Sequence, residues 1–302
     1  MVLLLIGMSF IVFASLYIAP GDPAQMVAGV AATEQDIEAV RVSLGLDKPF
    51  LVQYGIYLKN LLTFDLGTSY TTRQPIVQEI AIRLPFTINL AVAAILIAIV
   101  VGIPLGILTA LKRDTIVDNV LTTSSLFAIS MPNFWLGTML ILFFSVKLGW
   151  LPSGGMTHFF WTPTGFKQAI LPALALSTST IASFMRIGRS AMLDVLQSDY
   201  IRTARSKGLS GKVVIFVHAL RNALIPLLTQ LGTSFGGLLG GAIVTEQVFV
   251  VNGLGTYLIN AINSRNYPVV QSTVLVIATM FIVINLIVDI VYCLVDPRIS
   301  LE

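Results

Sequence analysis

The chain has 302 residues, 56% of them hydrophobic and only 11% charged, against about 25% charged in soluble domains. That leaves too little polar surface for a water-facing globule, so a secreted enzyme and a disordered scaffold are excluded, and the mean hydropathy of +0.88 points to an integral membrane protein. The same apolar excess excludes a typical nucleic-acid binder, the net charge of +3 says little until its distribution is known, and a single cysteine, Cys293, excludes a disulfide framework or a cysteine-based zinc cluster.

A bilayer core asks for about 20 mostly apolar residues per helix. The first such stretch is Met1 to Ala19, with no charge before Asp22. It lacks a basic start, and Pro20-Gly21-Asp22-Pro23 is a poor cleavage site, so a retained helix is expected rather than a signal peptide. Further spans are predicted near Phe86–Leu111, Val117–Leu148, Ala169–Met185, Leu224–Val250 and Val269–Val295. The third is long enough to tilt or to break at Pro132, and Arg186 would snorkel at the end of the short fourth. The predicted fold class is all-α, with six transmembrane helices.

With the N-terminus inside, the cytoplasmic loops 112–116 and 186–223 and the tail after 295 hold ten basic residues: Lys112, Arg113, Arg186, Arg189, Arg202, Arg205, Lys207, Lys212, Arg221 and Arg298. The short outer loops hold three, Lys147, Lys167 and Arg265. The excess places both termini in the cytoplasm. Segment 20–85, with five basic and seven acidic residues, then lies outside.

That outer segment is patterned. Thr33 with Asp36 is a helix-start signal, and Ile37, Val40 and Leu44 follow at helical spacing. Gly45 closes the helix, and Asp47-Lys48-Pro49 makes a turn. A second amphipathic run uses Phe50, Tyr54, Tyr57, Leu58 and Leu61; a third, Pro75 to Leu84, uses Ile76, Ile80 and Leu84. The expected organisation is helix 1 over 1–19, a small extracytoplasmic helical cap over 20–85, and a five-helix core over 86–302. The cap is either a lid over helix ends or a docking surface for a protein that delivers cargo.

Segment 186–223 carries seven basic residues against Asp194 and Asp199, a local charge of +5. Tyr200 to Lys207 is helix-compatible, Gly208-Leu209-Ser210-Gly211 is a turn, and Lys212 to Leu224 is helical again. A positive-inside loop accounts for the charge but not for this order. A helix–turn–helix at the membrane face can present its turn to a cytoplasmic partner.

"RTARSKG" at 202–208 followed by "HALRNALIP" at 218–226 resembles the cytoplasmic signature of ABC importer permeases, in the form of the oligopeptide, dipeptide, glutathione and nickel branch. The general pattern of that family is Glu-Ala-Ala, three residues, then Gly; here Arg202, Thr203, Ala204 and Gly208 stand at those positions. Supporting resemblances are "APGDPA" after helix 1, "LGLDKP" at 44–49, "DLGTSY" at 65–70, "MPNFWLG" at 131–137, "NYPVVQ" at 266–271 and "DPRI" at 296–299. The resemblance implies a half-pore subunit in a bacterial or archaeal plasma membrane. Its partners would be a second permease chain, two ATPase subunits and an external binding protein. ATP and magnesium would sit on the ATPases, and this chain would hold no cofactor of its own. Tyr200, Arg202, Thr203, Ala204, Lys207, Gly208 and Leu209 would form the ATPase-coupling element, with Gly208 allowing positive φ or close approach and Ala204 leaving room for the partner.

The chain shows no engine of its own. Gly211-Lys212-Val213 lacks the hydroxyl, the upstream glycine and the strand of a phosphate-binding loop. His158 and His218 fall in loops predicted on opposite sides of the membrane, so they cannot share a metal, and His158 with Phe159, Phe160 and Trp161 reads as an interfacial belt. The expectation is a non-enzymatic chain with no metal site.

In helix 5, Gly232/Gly236, Gly236/Gly240 and Gly237/Gly241 have the spacing that lets helices approach closely. They serve either packing within the chain or a pore-lining seam with the partner permease. Ser177 to Thr180, Thr229, Gln230, Thr233 and Ser234 either face a wet passage or bond neighbouring helices. A carboxylate in hydrocarbon costs about 2.5–3.5 kcal/mol on insertion scales. Asp289 reads as interfacial, whereas Glu246 is the better pathway candidate, suited to a cationic group such as a peptide amine. Short peptides are the favoured substrate, with chelated nickel as the alternative and an ion-coupled secondary transporter as the rival from another class.

Overall fold

The computed structural model describes residues 2–18, 21–29 and 31–295, apart from the side chains of Val2, Leu16, Asp289 and residues 291–295. The "DPRI" motif, Arg298, Pro20 and the Asp289 and Cys293 side chains therefore lie outside the described residues. Among those described there is no strand, only an isolated bridge between Thr68 and Pro75, and the molecule is an all-α integral membrane protein. It folds as two units: residues 1–86 with 252–282, and residues 87–251 with 283–302.

In the first unit, α1 (Val2–Ile18) packs on α4 (Phe50–Leu62) through rings. Phe10 and Phe13 each meet Phe50 and Tyr54 at centroid distances of 5.3–5.9 Å, and Tyr17 meets Phe50 at 5.0 Å. These rings recur at the helical spacings three and four, so one face of each helix carries the whole ladder. Between them lie α2 (Pro23–Ala28), capped by the Asp22 carboxylate on the Ala24 amide, and α3 (Glu34–Ser43). Thr33 and Asp36 form the expected capping box, and Gly45, at φ +68°, ends α3 as predicted. Arg41 bridges back to Asp22 at 2.6 Å and to Glu38 at 3.0 Å. The same unit holds α12 (Leu254–Asn263), which sequence reasoning did not foresee, and the start of α13 (Tyr267–Val295).

One expectation is corrected here. The run Pro75 to Leu84 is not a separate helix but the opening of α5 (Ile76–Leu111), 36 residues that continue through Pro85. A proline removes one backbone bond, and membrane helices tolerate this where neighbouring turns are well packed. Ile76 and Ile80 are buried on one side of it, and Leu90 and Ala91 on the other.

In the second unit, α8 (Pro163–Leu196) is central, packed by α6 (Ile116–Ser130), α7 (Asn133–Leu140) and α11 (Leu220–Val248). Helix α5 approaches α8 closely through glycines: a Cβ at Gly102 would lie 2.8 Å from the Ile181 carbonyl oxygen, and one at Gly106 2.8 Å from that of Met185. Helices α6 and α7 meet at Met131-Pro132 with a bend of 104°, so the long predicted span breaks where the proline stands. Helix α7 then widens into π-helical turns over Ile141–Lys147, and a second π-helical stretch, Val214–Ala219, precedes α11.

Among the described residues, four helical stretches are long and apolar enough to cross a membrane: Ile76–Leu111, Pro163–Leu196, Gly211–Val248 and Tyr267–Val288. The bent α6–α7 pair makes a fifth if it counts as one span. Six crossings would additionally require α1, whose 17 residues stand at the short end of what spans a hydrocarbon core.

Candidate coupling hairpin and transport surface

The basic segment folds as the sequence order predicts. Helix α9 (Asp199–Ser206) begins after Ser198 in extended conformation, with Asp199 in its first turn and Arg205 in its last, both favourable to the helix dipole. Ile201 and Ala204, three apart, turn inward onto Ala110, Met192, Val214, Ala219 and Ala223. Tyr200, Arg202, Thr203, Arg205 and Lys207 are left on the outer face. The Asn222 amide donates to the Tyr200 hydroxyl at 2.7 Å, holding α9 against the start of α11.

Gly208 terminates α9 at φ +76°, with its amide on the Arg205 carbonyl at 3.0 Å and the Leu209 amide on that of Ala204 at 3.4 Å. A side chain in this left-handed region costs about 1–2 kcal/mol. A Cβ at Gly208 or at Gly211 would nevertheless meet nothing within 4 Å, so the turn stands clear of its own chain. Helix α10 (Gly211–Val213) and the π-helical stretch then lead into α11. Ala204 departs from the expectation that its smallness leaves room for a partner: at 7% exposure it fits the internal cluster instead.

The α11 glycines divide. Gly232 is pressed on Val288, where a Cβ would come within 2.5 Å of a methyl, and Gly241 faces Leu176, so both serve packing within the chain. Gly237 and Gly240 have nothing within 4 Å of a built Cβ, and with Thr233 and Val244 they form an exposed stripe at spacings of four and three. Gly236 lies between these extremes, half-buried. Of the hydroxyls, Ser177 and Thr180 are buried and Thr229 and Thr233 exposed, while the Gln230 amide donates to Ser234 at 3.0 Å. Glu246 is fully buried and accepts a hydrogen bond from Thr87 at 2.6 Å.

Residues 102–301 match the family described as binding-protein-dependent transport system inner membrane component, and residues 1–91 match its N-terminal companion. The chain belongs to this family. The permease is 44% identical to the dipeptide transport system permease protein of Alkalihalophilus pseudofirmus, over 98% of this chain and 95% of that one. It is 43% identical to the glutathione transport system permease protein of Pectobacterium atrosepticum, over 96% and 92%. Its fold matches a chain of the MetNI methionine ABC transporter, solved in inward-facing conformations, with a TM-score of 0.60 at 18% identity over 74% of this chain and 98% of that one. It is thus a membrane component of the ABC importer class and not itself an enzyme, which sets aside the ion-coupled carrier. Family membership also makes it an integral inner-membrane protein.

The features that sequence reasoning missed in the permease are long-range pairs. Arg189 binds Asp118 in two parallel hydrogen bonds, of 2.8 and 2.7 Å, and Asp118 is almost completely buried. Thr115 followed three residues on by Asp118 is a readable start signal for α6, and the Thr115 hydroxyl accepts from the Asp118 amide. Nothing local announces a partner 71 residues away. Tyr257 on α12 likewise donates to Glu79, while Arg83 stands 4.3 Å over the Tyr257 ring. Among the described residues no group of three His, Cys, Asp or Glu could hold a metal, and His158 bonds Thr157 at 2.9 Å.

Proposed function

We propose that this permease is half of the pore of an ATP-driven importer of short peptides, with its hairpin seated on an ATPase subunit. The observation that carries the coupling role is the outward turn at Gly208, flanked by Arg202, Arg205 and Lys207 and backed by the buried pair Ile201 and Ala204. The inward pair fixes the hairpin to the core, so force on the turn reaches α8 and α11 rather than dissipating in a loop. Tyr200, Thr203 and Leu209 complete the contact face. Peptides are favoured because the relatives at 43–45% identity carry peptide or glutathione names.

A second permease copy or homologue pairs along the open stripe of Gly237 and Gly240, where two helices can approach closely. Glu246 serves the pathway only in a conformation that exposes it. Both termini are cytoplasmic, segment 20–85 is an outer cap, 86–302 is the permease core, and an external binding protein delivers the peptide. ATP and magnesium stay on the two ATPase subunits.

Gly208→Glu tests the central claim. It adds a charge and a side chain at the proposed partner face, where a Cβ meets nothing within 4 Å and the positive φ costs about 1–2 kcal/mol. The variant is expected in the membrane at normal level, with peptide uptake and substrate-stimulated ATP hydrolysis both lost. Normal values for both would sink the coupling role. For the seam, Gly237→Leu should block assembly with the second permease and leave the fold intact, whereas Gly232→Leu should destabilise the chain itself; co-purification and thermal unfolding separate the two.

A further inference from the structure

Four of the motifs singled out in the sequence have no place in the coupling hairpin or the α11 stripe, and in the first unit they converge. A cavity of about 580 Å³ is walled by Asp22 from "APGDPA", Leu46 from "LGLDKP", Asp65 and Tyr70 from "DLGTSY", and Tyr267 and Gln271 from "NYPVVQ". That is within the usual size of small-molecule sites. The convergence is held rather than incidental. The Asn266 side chain, buried at 3% exposure, donates to Ser69 at 2.8 Å and Thr71 at 3.2 Å and accepts from the Tyr70 amide at 3.2 Å. One motif thereby fixes the loop of another against the cavity.

The wall has a definite chemistry. Phe13, Tyr17 and Tyr57 add ring faces to those of Tyr70 and Tyr267. Burial pushes the Tyr57 and Tyr70 hydroxyls up to about 12, so both stay neutral in the physiological range. Among the described lining residues the cation is Arg41, already shared between Asp22 and Glu38, while Arg265 and Lys48 stand beside the lining glycines Gly21 and Gly45. Asp65 has no ion-pair partner among the described residues; one of its oxygens accepts from the Gly67 amide at 3.0 Å. The Asn60 and Gln271 amides line the same space with no side-chain hydrogen bond to the described residues. Asp65 and Asn60 are exposed to solvent within this lining. Aromatic faces lining one cavity with a carboxylate that lacks a counter-ion are the chemistry of an ammonium site, and amides in the same lining match peptide groups.

We propose that this cavity binds the amino-terminal ammonium of a short peptide, with Asp65 as counter-ion and the tyrosine rings around it. The proposal rests on the peptide reading given above and adds a substrate site outside the pore. Asp65→Asn is a clean probe, because an asparagine oxygen keeps the bond to the Gly67 amide and only the charge is lost. The purified complex, without its binding protein, is titrated calorimetrically with the dipeptide Ala-Phe and with N-acetyl-Ala-Phe. Ala-Phe is expected to bind at least about tenfold more tightly than the acetylated form, and Asp65→Asn to abolish that preference. Equal binding of the two probes, no binding of either, or an undiminished preference in Asp65→Asn overturns the site. Uptake of Ala-Phe by the complex with its binding protein is measured in parallel. Intact uptake beside any of those outcomes leaves the transport reading standing, whereas absent uptake overturns that reading and this one together.

Discussion

The helical segment 21–75 and the hairpin 199–213 are both polar stretches in an apolar chain, and they differ in how much charge they answer within the chain. The first answers part of it and leaves Asp65 without an ion-pair partner among the described residues; the second answers almost none. In the first, Arg41 is held by two carboxylates, Asp36 closes a capping box with Thr33, and rings stack α4 on α1. In the second, the basic residues point outward, and the one ion pair within it, Arg202 with Asp199, is loose at 3.6 Å and solvent-exposed. Charge answered within the chain stabilises a local fold; charge left outward on a rigid backing is available to another molecule. The contrast separates changes that cost stability from changes that cost transport.

The largest effect expected is Gly208→Glu, loss of uptake with the fold intact, because the site is open on its own chain. Phe50→Ala, at a ring of the ladder that does not line the cavity, is the converse. It should cost about 3 kcal/mol of stability, seen in thermal unfolding, and lower uptake only as far as folded protein is lost. If uptake per folded molecule fell as steeply, the ladder itself would take a direct part in transport. Arg205→Ala with Lys207→Ala should weaken ATPase docking several-fold at low salt while leaving unfolding unchanged, and the deficit should shrink as ionic strength rises, since screening weakens the wild-type contact too. An unchanged co-purification yield at all salt concentrations would count against an electrostatic contact. The smallest effect is a pH dependence in α3. The Thr33 hydroxyl and amide hold the Asp36 carboxyl below its usual range. A depressed folded-state pKa means the contribution is present above about pH 4 and lost as pH falls through the lowered value. Hydrogen exchange over residues 34–43, corrected for intrinsic rates, should therefore rise on acidification in the wild type and be flatter in Asp36→Asn.

What could be read in the sequence was local. Apolar runs announce spans because lipid admits few alternatives, Thr33, Asp36 and Gly45 announce a helix because caps act within four residues, and the hairpin shows itself by its order of helix, glycine turn and helix. What could not be read depends on distant partners. The apolar run suggests a span from near Phe86, but α5 begins at Ile76, and Tyr257, 178 residues from Glu79, accommodates Glu79 and Arg83 beside the helix. Glu246 reads as a pathway acid from its position, and its hydrogen bond with Thr87, 159 residues away, has no local signal in the sequence. The glycines of α11 are equivalent by spacing, and only the neighbours Val288 and Leu176 distinguish packing from open surface.

The π-helical stretch Val214–Ala219 stands between the hairpin and the α11 stripe. A wider turn holds one more residue than an α-turn needs, so it absorbs that residue without turning the rest of the helix. Deleting one residue there would return the helix to α geometry with little change of phase, whereas deleting one from a regular α-turn swings everything downstream by about 100°. The register between the outward turn at Gly208 and the Gly237 stripe thus tolerates a change of length at this one place.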